Sequence, residues 1–178
     1  MRSSKVAKRY ARALLGLSND SHQLESWGEE VERLARIIEM PEVDAAFASP
    51  EVALSAKIQA LAIITEKADL SFPIRSFAAV VARHGRIQEL PAVAVAYRSM
   101  LDDLMGRARA TMTFAVEPGQ RDVERIANRF EQVVHKKIVP TIRVDPTLIG
   151  GVVVELEGKT YDGSLLNQLR EAQLRLGG

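Results

Sequence analysis

The feature that most restricts what this chain can fold into is a change of hydrophobic period at Gly106. Before it, apolar residues recur every three or four positions, the spacing that lines one face of an α-helix. Beyond it the sequence alternates, gathers β-branched residues and is cut repeatedly by Pro and Gly, as in short strands joined by turns. Two regimes within 178 residues imply two domains, a helical one over 1–106 and a small one over 107–178.

In the first regime Val6, Tyr10, Ala13, Leu14 and Leu17 share a face, with Lys5, Lys8, Arg9 and Arg12 mostly off it. Asn19-Asp20-Ser21 interrupts the pattern and offers helix caps. Leu24, Trp27, Val31, Leu34 and Ile38 resume it until Met40-Pro41, and a short piece, Glu42 to Ala48, follows. Ser49-Pro50-Glu51 reads as a helix start, with Ser49 as N-cap and Pro50 in the first turn. Leu54, Ile58, Leu61 and Ala62, widened by Ile63 and Ile64, predict a helix buried on more than one side. Phe72 to His84 is closed by Gly85, and Pro91 opens a helix carrying Leu90, Ala94, Tyr97, Leu101, Leu104 and Met105. The expectation is a bundle of five longer helices and a short one.

In the second regime "ARATMTFAVEP" predicts a strand ended by Pro118-Gly119, and Val123, Ile126, Ala127, Phe130, Val133 and Val134 a helix. Thr141 to Asp145 and Gly151 to Leu156 read as strands, with Pro140 marking an edge or a strand start. Glu157-Gly158 turns into "KTYD", and Leu165, Leu166, Leu169, Ala172 and Leu176 predict a last helix. Asp145-Pro146, Gly150-Gly151 and Asp162-Gly163-Ser164 supply the turns, with Ser164 a cap for that helix.

Chemistry is hard to find in this sequence. Zero cysteines removes disulfides, thiolate metal sites and cysteine nucleophiles. His22, His84 and His135 are too far apart to form a helical metal pair. Glu29-Glu30 and Asp102-Asp103 point in different directions on a helix, and Ser164 sits in "DGSLL" rather than in a nucleophile elbow. A net charge of +1 exerts no general pull on nucleic acid, and 5% aromatic residues leave little for base stacking. No run approaches the ~20 apolar residues of a membrane span. The acid-free start has the composition of a transit peptide, yet it flows into the apolar stripe without a processing site, so it is expected to belong to the fold.

What remains is an interaction protein. A helical bundle with small and aromatic residues on its stripes can seat a partner's amphipathic helix, and the helices through Tyr10, Ala13, Leu14 and through Ser76, Phe77, Val80 have that character. On periodicity alone, the same stripes are better explained as the bundle's own core. An RNA-binding helical bundle is the alternative, supported by the basic first helix.

Three stretches weigh against that alternative. "VAKRYARALLGLS", "RHGRIQELP" and "DPTLIGGVVVELEGKTYDGSLLNQL" resemble segments of the delta subunits of F-type ATP synthases, the family of the oligomycin-sensitivity-conferring protein. The resemblance runs over essentially the whole chain and is most specific at the C-terminal stretch. It implies an α plus α+β fold, with an N-terminal six-helix bundle followed by a small α/β C-terminal domain. It also implies a non-catalytic stator part, with no cofactor, that resists rotor torque. The bundle would receive the N-terminal helix of an alpha subunit between its first and fifth helices, through Tyr10, Ala13, Leu14, Ser76, Phe77 and Val80, with His84 near the end. The second domain would meet the b subunits of the peripheral stalk. Asp145, Gly150, Gly151, Asp162, Gly163 and Ser164 match the family signature, where folding roles are expected. The resemblance further implies a single copy per complex, no nucleic acid, no small-molecule ligand, and a place at the cytoplasmic face of a bacterial inner membrane. The tail "LLNQLREAQLRL" departs from it, lacking the basic cluster that often follows Asp-Gly-Ser in relatives.

Overall fold

A computed structural model of the chain describes residues 5–148 and 150–163. The chain divides into two compact units between Leu101 and Asp102. Among the described residues it is a mixed α/β protein with seven α-helices and one four-stranded sheet.

The first unit is helical: α1 (Lys5–Leu15), α2 (Ser21–Ile38), α3 (Pro41–Ala48), α4 (Leu54–Lys67), α5 (Phe72–Arg83) and, after a 3₁₀ turn at Ile87–Glu89, α6 (Leu90–Leu104). Local chemistry accounts for most boundaries. Asp20 caps α2 by accepting the His22 N–H at 2.9 Å. Pro41 opens α3, where its missing N–H costs nothing. α5 ends in a Schellman motif: Arg86 N–H reaches Val81 O, Gly85 N–H reaches Ala82 O, and Gly85 sits at φ +66.

Two expectations fail here. Ser49-Pro50-Glu51 does not start α4. Ser49 instead closes α3, its Oγ accepts the Glu51 N–H at 3.3 Å, and α4 begins at Leu54 after Ala53. The last carbonyls of a helix lack partners of their own, and Lys57 of α4 supplies them, its Nζ donating to Phe47 O and Ser49 O at 2.7 Å each. That grip uses the segment to end one helix rather than to begin the next. The wide stripe of α4 is also not buried on several sides. Only Leu61 and Thr65 are buried, while Leu54 and Ile63 are exposed.

The helical core is drawn from Ala7, Ala11 and Leu14 of α1, the Leu24-to-Ile38 stripe of α2, Ile74, Phe77 and Val81 of α5, and Val93, Tyr97 and Leu101 of α6. Tyr97 is wholly buried and satisfies its hydroxyl by donating to Leu24 O at 2.8 Å.

The second unit comprises β1 (Arg107–Phe114), α7 (Gln120–Val134), β2 (Lys137–Val144), β3 (Val152–Leu156) and β4 (Lys159–Asp162). Gly106, at φ +62, stands between α6 and β1. The sheet order is β2-β1-β3-β4, with β1 and β2 parallel and the other pairs antiparallel. The connection from β1 to β2 runs through α7, as parallel neighbours require. Alternate β1 residues Ala108, Ala110, Met112 and Phe114 are buried against α7, which contributes Val123 and Ala127.

β2 is longer than Thr141 to Asp145 predicts, because its pairing with β1 starts at Lys137. Pro140 lies inside β2 opposite Ala110, tolerated because β2 is an edge strand. Glu157 (φ 50) and Gly158 (φ +78) form the β3–β4 turn with both central residues left-handed, the hairpin geometry that matches strand twist. Asp145 Oδ1 accepts the Thr147 N–H at 2.9 Å and its hydroxyl at 2.7 Å, holding the turn after β2. Those hydrogen bonds keep the Asp145 carboxyl below its usual range. Gly163 donates to Val152 O at 3.0 Å. The Ser164 cap and the helix predicted through Leu165 and Leu176 lie outside the described residues.

Candidate functional site

The site indicated by the sequence lies on α1 and α5, and its seven residues do not behave alike. Tyr10 of α1 and Phe77 of α5 meet edge to face, ring centroids 6.2 Å apart and planes at 81°. This geometry favours aromatic pairs beyond the area they bury. Phe77 is buried, Tyr10 half-buried. The contact ties the two helices together and leaves one ring partly at the surface.

One helical turn on from each ring, the chain is exposed. Ala13 follows Tyr10 and is open to solvent, and Val80 follows Phe77 and is 45% exposed. Leu14 differs. At 0% exposure it belongs to the core and supports the α1 surface from beneath. Ser76 is exposed on α5 and lines a cavity of about 350 Å³ shared with α4, beside Ile58, Ala62, Phe72 and Arg75. His84 is the C-cap of α5, with Nδ1 2.8 Å from Val80 O, so its ring is tied to the helix that it ends.

α1 carries two adjacent stripes. Ala7, Ala11 and Leu14 face inward; Val6, Tyr10 and Ala13 form a second row, half-buried at Val6 and Tyr10 and exposed at Ala13, and Leu17 in the turn after the helix is 65% open. Lys5, Lys8, Arg9 and Arg12 are all exposed, and the first turn holds no acidic residue. The outer surface of α1 is thus apolar along one row and positive around it. Sequence reasoning passed over Phe72, which at 74% is the most exposed large apolar residue described. It stands two residues before Ile74, about 200° around the helix from the buried row, and that offset was the available signal.

Among the described residues no three His, Asp or Glu gather where a metal could be held, and no helix is long and apolar enough to cross a membrane. Asp102 is the most engaged carboxylate, accepting from Arg109 Nε at 2.6 Å and pairing with Arg107 Nη2 at 3.3 Å. All three residues belong to the second unit, where the carboxylate holds two arginines of β1.

Comparison with known proteins gives the family. Residues 6–176 match the family model of the ATP synthase delta (OSCP) subunit. The chain is 31% identical over 174 residues to an ATP synthase subunit delta of Geobacter sp. strain M21, covering 97% of both. It is 32% identical to the one of Geobacter metallireducens, again with 97% of each covered. Its fold is similar to a chain in the mitochondrial ATP synthase hexamer of Toxoplasma gondii, with a TM-score of 0.65 at 16% identity, covering 98% of this chain and 99% of that one. The chain belongs to the ATP synthase delta (OSCP) family. That family is a structural stator component linking the catalytic head to the peripheral stalk, and it is not catalytic.

Proposed function

We propose that α1 to α6 act as a six-helix bundle whose α1–α5 surface receives the N-terminal helix of an ATP synthase alpha subunit, while the second unit meets the b subunits of the stalk. One observation carries this reading. Ala13 and Val80 remain exposed on two helices already joined by the Tyr10–Phe77 contact, with Leu17 exposed in the turn that follows the first. A partner helix laid there buries apolar surface on a prepared support, and amphipathic helices bind in this way. The exposed Lys5, Lys8, Arg9 and Arg12 suit a partner with acidic flanks. In this reading one copy serves each complex, at the cytoplasmic face of a bacterial inner membrane.

The role asks for slow dissociation under torque. Nanomolar binding corresponds to about 12 kcal/mol, which two preorganised apolar surfaces can supply. The test is titration calorimetry of the full chain with a peptide from the start of an alpha subunit. Ala13→Trp and Val80→Lys should each weaken binding at least about tenfold, equivalent to ~1.4 kcal/mol, with the circular dichroism spectrum unchanged. Unaltered affinity in both variants removes the assignment. Titration with RNA in place of the peptide tests the alternative: binding that falls steeply with salt would favour it.

A further inference from the structure

The outer side of α7 carries a ladder of arginines that runs into an apolar cavity. Arg121, Arg125 and Arg129 are all exposed and stand four residues apart. Each step rises about 6 Å along the helix and turns about 40° around it. The turn brings the series to the hairpin side. Arg129 and Val133, the next position after it, line an open cavity of about 520 Å³ between α7 and the β3–β4 hairpin. Phe130, Val152, Val154 and Tyr161 supply most of the remaining wall, the two rings meeting edge to face at 5.0 Å. Val133 is 67% exposed and Tyr161 38%, so large apolar groups face solvent there.

The charges around this cavity have one sign. Alternate strand residues face the same way, so Lys159 shares the α7 side of β4 with Tyr161, opposite the buried Leu156. Arg129 on the helix and Lys159 on the hairpin thus flank the apolar wall. The neighbouring acids turn elsewhere. Glu155 and Asp162 alternate onto the opposite face of the sheet. Glu124 and Glu131 lie at least about 140° around α7 from Arg129, and Glu131 accepts the Ile138 N–H at 2.9 Å. Asp122 pairs with Arg125 at 2.8 Å, yet that arginine side chain stays 74% exposed.

A compact ligand would use the cavity alone, whereas the ladder extends about 12 Å along α7 and calls for an elongated occupant. A helix laid beside α7 meets both parts. Its carboxylates at every fourth residue repeat about every 6 Å and match the arginines, while an apolar row fills the cavity. Such complementarity fixes register and selects the partner. We propose that this surface seats an acidic amphipathic helix of a b subunit, with Arg121, Arg125 and Arg129 facing its carboxylates and Val133 and Tyr161 its apolar row. The inference rests on the reading that the second unit meets the stalk and says where; helix docking on α1 and α5 is independent of it.

The test is titration calorimetry of the full chain with a soluble fragment of an ATP synthase b subunit. Val133→Asp, at an exposed position, should weaken binding at least about tenfold, and so should Arg121→Glu combined with Arg129→Glu. Glu124→Gln, on the other flank, should bind as the wild type does, and all variants should keep the wild-type circular dichroism spectrum. Binding by the wild type that neither Val133→Asp nor the arginine pair alters would overturn the surface and leave the stalk reading intact. No binding by the wild type would remove that reading and the inference with it. Loss in the arginine pair alone, with Val133→Asp unaffected, would mark contact with a polyanion and refute the seated helix. So would sedimentation showing that the chain self-associates and that Val133→Asp abolishes it, which would make a second copy the occupant.

Discussion

Replacing Tyr97 with Phe removes one hydroxyl from the helical interior and leaves the ring. That hydroxyl is wholly buried and donates to Leu24 O at 2.8 Å, joining α6 to the first turns of α2. A buried hydrogen bond contributes about 1–1.5 kcal/mol net, so the Phe chain should be less stable by that amount at neutral pH. The phenol also carries a pH signature. Burial pushes its pKa up to about 12, with the charge on Arg98 working the other way. The unfolded phenol titrates near 10, so between these values the unfolded chain releases a proton that the folded chain keeps. The contribution of Tyr97 is therefore complete below pH ~10 and is lost as pH rises toward the folded value. A gap of two units amounts to ~2.7 kcal/mol in full and about 1.4 kcal/mol by pH ~11.

The Phe chain lacks this alkaline loss. The two proteins should differ most at neutral pH, converge near pH ~11 and cross above it. Urea unfolding followed by Trp27 fluorescence reads the difference directly, because Trp27 is the one tryptophan and is buried in α2, a turn from Leu24. A difference that stays constant from neutral pH to pH ~11 would refute the shifted phenol. Equal stability at neutral pH would refute the hydrogen bond.

Three other perturbations test neighbouring parts of the argument. In Gly28→Ala, a helix-propensity gain of ~1 kcal/mol opposes crowding of about 1–3 kcal/mol. The new Cβ would lie 3.3 Å from Tyr97 Cε1, and the tethered ring cannot yield, so urea melts should show a net loss that shrinks in the Tyr97→Phe background. Asp102→Asn removes the charge that holds Arg107 and Arg109 at a buried position and should cost about 2 kcal/mol, tempered because the Arg109 side chain is 41% exposed; thermal unfolding followed by circular dichroism checks it. At Asp145, hydrogen bonds from Thr147 lower the folded pKa, so its contribution is present above the unfolded value near 3.9 and is lost as pH falls through the folded one. NMR titration should find that depressed carboxyl, and Asp145→Asn should flatten the acid limb of the stability curve.

The fold was legible where backbone chemistry is local. Gly85, Pro41, Asp20 and the Glu157-Gly158 turn each act through their own or adjacent peptide groups, and each does in the structure what its residue type implies. Ser49-Pro50-Glu51 misled because the deciding partner, Lys57, reaches back from another helix to the α3 carbonyls. The full length of β2 was hidden for a similar reason. Ile138 and Val139 suit a strand, but Pro140 cuts them off from Thr141 onward, and pairing with β1 joins the two pieces.

The candidate surface was half legible, for a geometrical reason. Hydrophobicity draws the eye to Tyr10 and Leu14 on α1 and to Leu17 just past it, yet the inward row is Ala7, Ala11 and Leu14. Its neighbour through Val6, Tyr10 and Ala13 lies one residue, about 100°, around the helix. Alanines go inward because a small side chain lets α1 approach its neighbours closely; the larger residues on the adjacent row are then left at the surface or against Phe77. Leu14 satisfies both patterns and lies in the core, while Ala13 and Val80 are exposed, as a docking role would need. The comparison that separates the rows is chemical. A bulky substitution at Ala11 should unfold α1, whereas the same substitution at Ala13 should leave the fold intact and disturb only what binds to it.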